Sequence, residues 1–105
     1  MAKFMLVYLG GEQPSNPEEG KKHFEEYREW LQSLGDAVLS AANPLKDTHV
    51  ITPDGKSQAG SSTMMSGFSV LEAPTIEAAV LMSESCPFLK IGGTLEVSEM
   101  IEMNM

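Results

Sequence analysis

The segment Lys3 to Leu9 is apolar on both parities, with Phe4, Leu6 and Tyr8 pointing one way and Met5, Val7 and Leu9 the other. Side chains of a strand alternate between faces, so this segment reads as a strand buried on both faces. Any fold for the chain must supply that cover. Gly10-Gly11 end the segment, and the polar stretch Glu12 to Ser15 leads on. The apolar run is too short for a secretion signal and far too short to cross a bilayer, so Met1 to Leu9 reads as mature structure.

The signals that follow alternate in type. Asn16-Pro17-Glu18-Glu19 predicts a helix start, with Asn16 as cap, Pro17 in the first turn and Glu19 closing a capping box. Phe24, Tyr27, Trp30, Leu31 and Leu34 recur at spacings of three and four and form one stripe, which Gly35 ends. Asp36 to Ala42 reads as a short strand stopped by Asn43-Pro44, and Thr48 to Thr52 as another, closed by Pro53-Asp54-Gly55. Lys56 to Ser66 is rich in Ser, Gly, Gln and Thr and reads as a loop. Gly67 to Glu72 is a strand, Thr75 caps a second helix with the stripe Ile76, Ala79, Val80 and Ser83, and Thr94 to Ile101 is the last strand.

With the short Thr48 to Thr52 strand not counted, the order strand, helix, strand, strand, helix, strand predicts an α+β, ferredoxin-like βαββαβ domain over residues 1–105, with two helices on one face of a four-stranded antiparallel sheet. Two helices cover only one face. The drier parities, Phe68 with Val70 and Leu95 with Val97, are expected under the helices, leaving Leu71 and Met100 among Ser69, Glu96 and Ser98 on the other. Such a face is too apolar to stay wet, and a second copy packing sheet to sheet would enclose a chamber between them, with Ile101, Met103 and Met105 extending the contact.

Charge narrows the partners. Seven Lys+Arg against fifteen Asp+Glu give a net charge of −8, which repels nucleic acid and anionic membrane surfaces. Cys86, the one cysteine, excludes an internal disulfide and fits a reducing, cytoplasmic setting.

Several fragments together resemble the YCII-related (DGPF-type) family. They are Lys3 to Tyr8 with Gly10-Gly11-Glu12, Trp30 to Val38, Asn43-Pro44-Leu45, Asp54-Gly55, Gly67 to Ala73, Cys86-Pro87 and Gly92 to Val97. The resemblance implies a dimeric α+β barrel and no cofactor. It also implies that some relatives act on small aromatic or lactone-like molecules, with a first-helix histidine and a carboxylate suggested as a catalytic pair. Asp54-Gly55-Lys56-Ser57 departs from the family signature, which has Pro and Phe after the glycine.

On that resemblance His23 is the candidate general base and Asp36 its candidate partner. The bland reading makes His23 a boundary residue of an amphipathic helix and Asp36 a solvated turn, and about 16 Å of helix lies between them. Tyr8, Trp30, Ser69, Glu96 and Ser98 are the candidate ligand-binding residues, although Tyr8 and Trp30 at this spacing are first of all core. His49, near Asp47 and Asp54, lacks the spacing of a metal site, and Cys86 before Pro87 reads as a small buried residue rather than a nucleophile. Two functions follow: a homodimeric binder of a small cyclic or aromatic molecule, with or without cofactor-independent proton transfer or elimination, or a non-catalytic homodimeric interaction or regulatory module whose chamber is packed shut by Leu71, Met100 and the first strand.

Overall fold

The doubly apolar segment becomes β1, Ala2–Gly10, hydrogen-bonded to a neighbour along both of its edges. In the computed structural model, which describes residues 1–103, it is followed by α1 (Pro17–Leu34), β2 (Val38–Pro44), β3 (His49–Ile51) and β4 (Ser57–Ala59). Then come β5 (Met65–Ala73), α2 (Ile76–Ser83) and β6 (Gly93–Glu99). The main sheet has the antiparallel order β2-β5-β1-β6, which with its two helices is the ferredoxin-like α+β fold. No described helix is long and apolar enough to cross a membrane. Met105, expected to extend a contact with a second copy, lies outside the described residues.

Local chemistry explains the helix ends. Asn16 Oδ1 accepts from the Glu19 backbone N–H at 2.8 Å, as an N-cap should. The Glu19 carboxylate turns to the Ser15 N–H and hydroxyl rather than to Asn16, so the reciprocal bond closes one residue early. Those bonds hold its carboxyl below the usual range. Gly35 follows at φ +57°, and a 3-10 turn, Gly35–Ala37, feeds β2. In α2 the small residues Ala79 and Ser83 are buried while Ile76 and Val80 stay more than a third exposed, so the helix lies close on Phe4 and Ala73.

The short strand expected near Thr48 to Thr52 does not join the main sheet. It pairs as β3 with β4 in a separate hairpin, so part of the expected loop Lys56 to Ser66 is strand. The turn explains this: Asp54 takes the Lys56 N–H and the Thr52 hydroxyl, and Gly55 sits at φ +82°. Main-chain pairing makes this ribbon, since β4 is exposed throughout.

The expected facing of the last strand holds, but that of β5 is reversed. Leu95 and Val97 pack under the helices against Leu6 and Tyr8. On β5 it is Gly67, Ser69, Leu71 and Ala73 that are buried there, opposite Tyr8, Leu6, Phe4 and Ala2 of β1. Phe68 and Val70 therefore share the other face with Met5 and Val7, so Leu71 and Ser69 cannot line a chamber there. The reason is volume and bonding. Small residues on β5 leave room for the rings of Tyr8, Tyr27 and Trp30, and the Ser69 hydroxyl finds partners inside, so its burial leaves no polar atom orphaned.

The result is a slab of 44 × 44 × 18 Å with a radius of gyration of 15.3 Å. A compact chain of this length would have about 13 Å. Met5, Val7, Phe68 and Val70 form the centre of the uncovered face, flanked by Glu96 and Ser98.

Candidate functional site

Three hydroxyls meet beneath α1. Tyr8 Oη lies 2.7 Å from both Tyr27 Oη and Ser69 Oγ, although β1, α1 and β5 supply one residue each. Ser69 donates to the carbonyl of Ala41, which also lies 3.3 Å from Tyr27 Oη. Pairing of β2 with β5 is irregular between Ser40 and Asn43, which takes Ala41 out of the ladder and turns its carbonyl to this network. Burial pushes the Tyr8 hydroxyl far above its ordinary value, so it stays protonated and is no base at neutral pH.

Beside the network opens a cleft of about 280 Å³. Its walls are the rings of Tyr8, Tyr27, Phe24 and Phe88, with Ala42-Asn43-Pro44 and Ser66-Gly67-Phe68 at the end of the sheet. Phe24, read from sequence as part of the buried stripe, is 60% exposed because this cleft lies beneath it. Phe88 meets Tyr8 edge-on with ring centroids 5.2 Å apart, and Tyr27 meets Tyr8 at 6.0 Å. Gly67 is required by close approach, since a Cβ there would lie 2.9 Å from the Asn43 carbonyl oxygen.

Gly93 shapes the same wall. A Cβ at this position would lie 2.2 Å from the Phe88 ring, which cannot retreat freely because Gly11 receives its other edge. Gly93→Ala is expected to cost about 1–3 kcal/mol through overpacking. A Phe88→Leu change in the same chain should recover part of that, as a denaturation double-mutant cycle would read. Additive costs would mean that the ring and the glycine do not meet.

The sequence candidates divide between places. Tyr8 and Ser69 belong to the network, and Tyr8 also lines the cleft. Trp30 is buried behind it, its Nε1 donating at 3.1 Å to both the Met82 carbonyl and the Ser85 hydroxyl. Glu96 and Ser98 lie on the opposite, uncovered face, so the five expected ligand residues do not form one site. His23 is half-buried in a separate cleft of about 150 Å³ with Glu12, Glu19 and Lys90. Asp36 is exposed in the 3-10 turn beyond the far end of α1, and no hydrogen bond or ion pair joins it to His23 among the described residues. His49 is exposed in the hairpin.

The sequence reading missed Phe24, Asn43, Gly67 and Phe88 as cleft residues. Asn43-Pro44 and Gly67 had signalled only a strand end and a strand start, and Phe88 follows Cys86-Pro87 in a segment without periodicity. Their convergence depends on how β2 and β5 end against α1.

Cys86 is buried against the same core, and burial pushes its thiol up to about 11. The unfolded chain loses that proton first, near pH 8.5. This group's contribution to stability is therefore fully present below about pH 8.5 and falls as pH rises from there toward about 11. Urea midpoints at pH 7.5, 9 and 10 should decline, and Cys86→Ala should decline less steeply. Equal slopes would mean that the thiol ionises alike in both states.

No family model matches the sequence, and no curated protein matches it. A solved structure does match: 5-chloro-2-hydroxyhydroquinone dehydrochlorinase (TftG) from Burkholderia phenoliruptrix AC1100, in complex with 2,5-dihydroxybenzoquinone. The TM-score is 0.59 at 16% identity, over 96% of this chain and 95% of that one. The likeness establishes the fold.

Proposed function

We propose that the chain is a homodimeric binder of a small aromatic or other cyclic molecule, held in the cleft between α1 and the ends of β2 and β5. The observation that carries this is the cleft itself: ring faces and edges on most sides, with a few polar groups at fixed positions, which is the make-up of a small-molecule site. Its volume is near the lower end for ligand sites, which suits a single ring. The solved relative in fold was captured with a single-ring quinone, which supports the same class of ligand. Kinship with the YCII-related family belongs to this reading and rests on the ordered fragments from Lys3 to Val97.

Titration of the labelled chain with toluene and phenol tests the reading. Shifts at the Gly67 and Phe68 amides are expected, and their absence with every ring compound would end it. Proton transfer or elimination would fall to His23, with Asp36 as its partner if the two meet in the working assembly. Activity unchanged in His23→Ala, once a turned-over substrate is known, would remove that role. The alternative of a non-catalytic module is favoured by one observation: the only ionisable side chains lining the cleft are Tyr8 and Tyr27, and Tyr8 is held protonated.

The second copy would cover Met5, Val7, Phe68 and Val70, in a cytoplasmic setting consistent with the buried free thiol. The flat, half-covered slab motivates this. Light scattering should give twice the chain mass, and Val70→Asp should give a folded monomer. A monomeric wild type would refute the pairing.

A further inference from the structure

The polar groups of the aromatic cleft can be counted proton by proton. Four polar side chains line it: Tyr8, Tyr27, Asn43 and Ser66. Asn43 Nδ2 has two protons and donates to Ser40 Oγ at 2.9 Å and to the Phe68 carbonyl at 3.0 Å. Ser66 Oγ donates to the Tyr8 carbonyl at 3.3 Å. Ser69 commits its proton to the Ala41 carbonyl, so the contact between Tyr8 and Ser69 is donated by Tyr8. The 2.7 Å contact between the two tyrosines is then donated by Tyr27.

Every side-chain donor of the cleft is thus engaged within the protein. The side-chain capacity left over is all of one kind: the Asn43 Oδ1, which has no partner among the described residues, and the spare lone pairs of the hydroxyl oxygens. Among the described residues no Lys, Arg or His side chain lines the cleft.

Resting on the reading of this cleft as a ligand site, we infer that it selects neutral rings bearing an O–H or N–H donor, and rejects both rings that carry only acceptors and carboxylates. A ring hydroxyl gives the unpaired oxygens the proton they lack. A ring that only accepts would set lone pair against lone pair in an apolar cleft, where unsatisfied polar groups are costly. Side chains could serve it only by withdrawing a proton from a bond already made, as from Tyr27 to Tyr8 or from Ser66 to the Tyr8 carbonyl, an exchange of one hydrogen bond for another. A carboxylate would lose its hydration with no cation to replace it.

The test is an NMR titration of the full chain at neutral pH with phenol, anisole, toluene and benzoate, read at the Gly67 and Phe68 amides. Phenol is expected to bind at least about tenfold more tightly than anisole or toluene, the gain of roughly one hydrogen bond. Benzoate should leave the cleft amides unmoved. Anisole within about twofold of phenol, or benzoate binding as well as phenol, would each overturn the inference while the cleft stands. If toluene and phenol alike leave these amides unmoved, the ligand-site reading falls and takes the inference with it.

Discussion

Trp30→Ala is expected to destabilise the chain by about 3–5 kcal/mol, the range for removing a large aromatic side chain from a core. Trp30 is 6% exposed and packs with Leu6, Tyr8, Leu71 and Cys86, so it joins α1 to the sheet. Its Nε1 also holds the C-terminal end of α2 and the segment after it through the Met82 carbonyl and Ser85 hydroxyl. Small domains are stable by only about 5–15 kcal/mol, so the variant should be near its unfolding threshold at room temperature. Denaturation followed by circular dichroism reads the loss. Trp30→Phe should cost much less, because the Ser85 hydroxyl already lies 3.3 Å from the Met82 carbonyl and can serve it alone. A loss under about 1 kcal/mol for the alanine variant would contradict the packing described.

Leu71→Ala is expected to cost about 2–5 kcal/mol, whereas Val70→Ala should cost under about 1.5 kcal/mol where the chain is monomeric. Leu71 is fully buried under the helices opposite Phe4, and Val70, its neighbour in sequence, lies on the uncovered face opposite Met5. The pair therefore reads the facing of β5 directly. A one-residue slip exchanges the faces of every side chain in a strand, so the opposite order of costs would place Phe68 and Val70 in the core. Denaturant midpoints at low protein concentration separate this effect from any gained by association.

The reversal of β5 shows where pattern reading stops. Counting apolar residues ranks Phe68 and Val70 above Ser69 and Leu71, and that count is right about the side chains. It cannot see that Tyr8, Tyr27 and the Ala41 carbonyl stand ready to bond a serine. Nor can it see that Gly67 and Ser69 leave the space those rings occupy. The candidate site diverged for the same reason. Tyr8 and Ser69 were named without their meeting partner Tyr27 as a site residue, while Glu96 and Ser98 were grouped with Ser69 across a sheet that in fact separates them.

What the linear order alone determined is the two helices, the four strands of the main sheet and β3, with their type, but not β4, which lies in a stretch that reads as a loop. Asn16-Pro17 and Thr75 start helices, Gly35 stops one, and the doubly apolar β1 takes a place with neighbours on both edges. These depend on interactions within a few residues, or on a periodicity that any core would impose. Tertiary structure alone decided which face of β5 turned inward, which strand left the sheet for a hairpin, and which rings came together around the cleft. Those outcomes follow from complementary volumes and shared protons between residues far apart in the chain, such as Tyr8 with Ser69 and Gly11 with Phe88, and neither is written in the spacing of either partner.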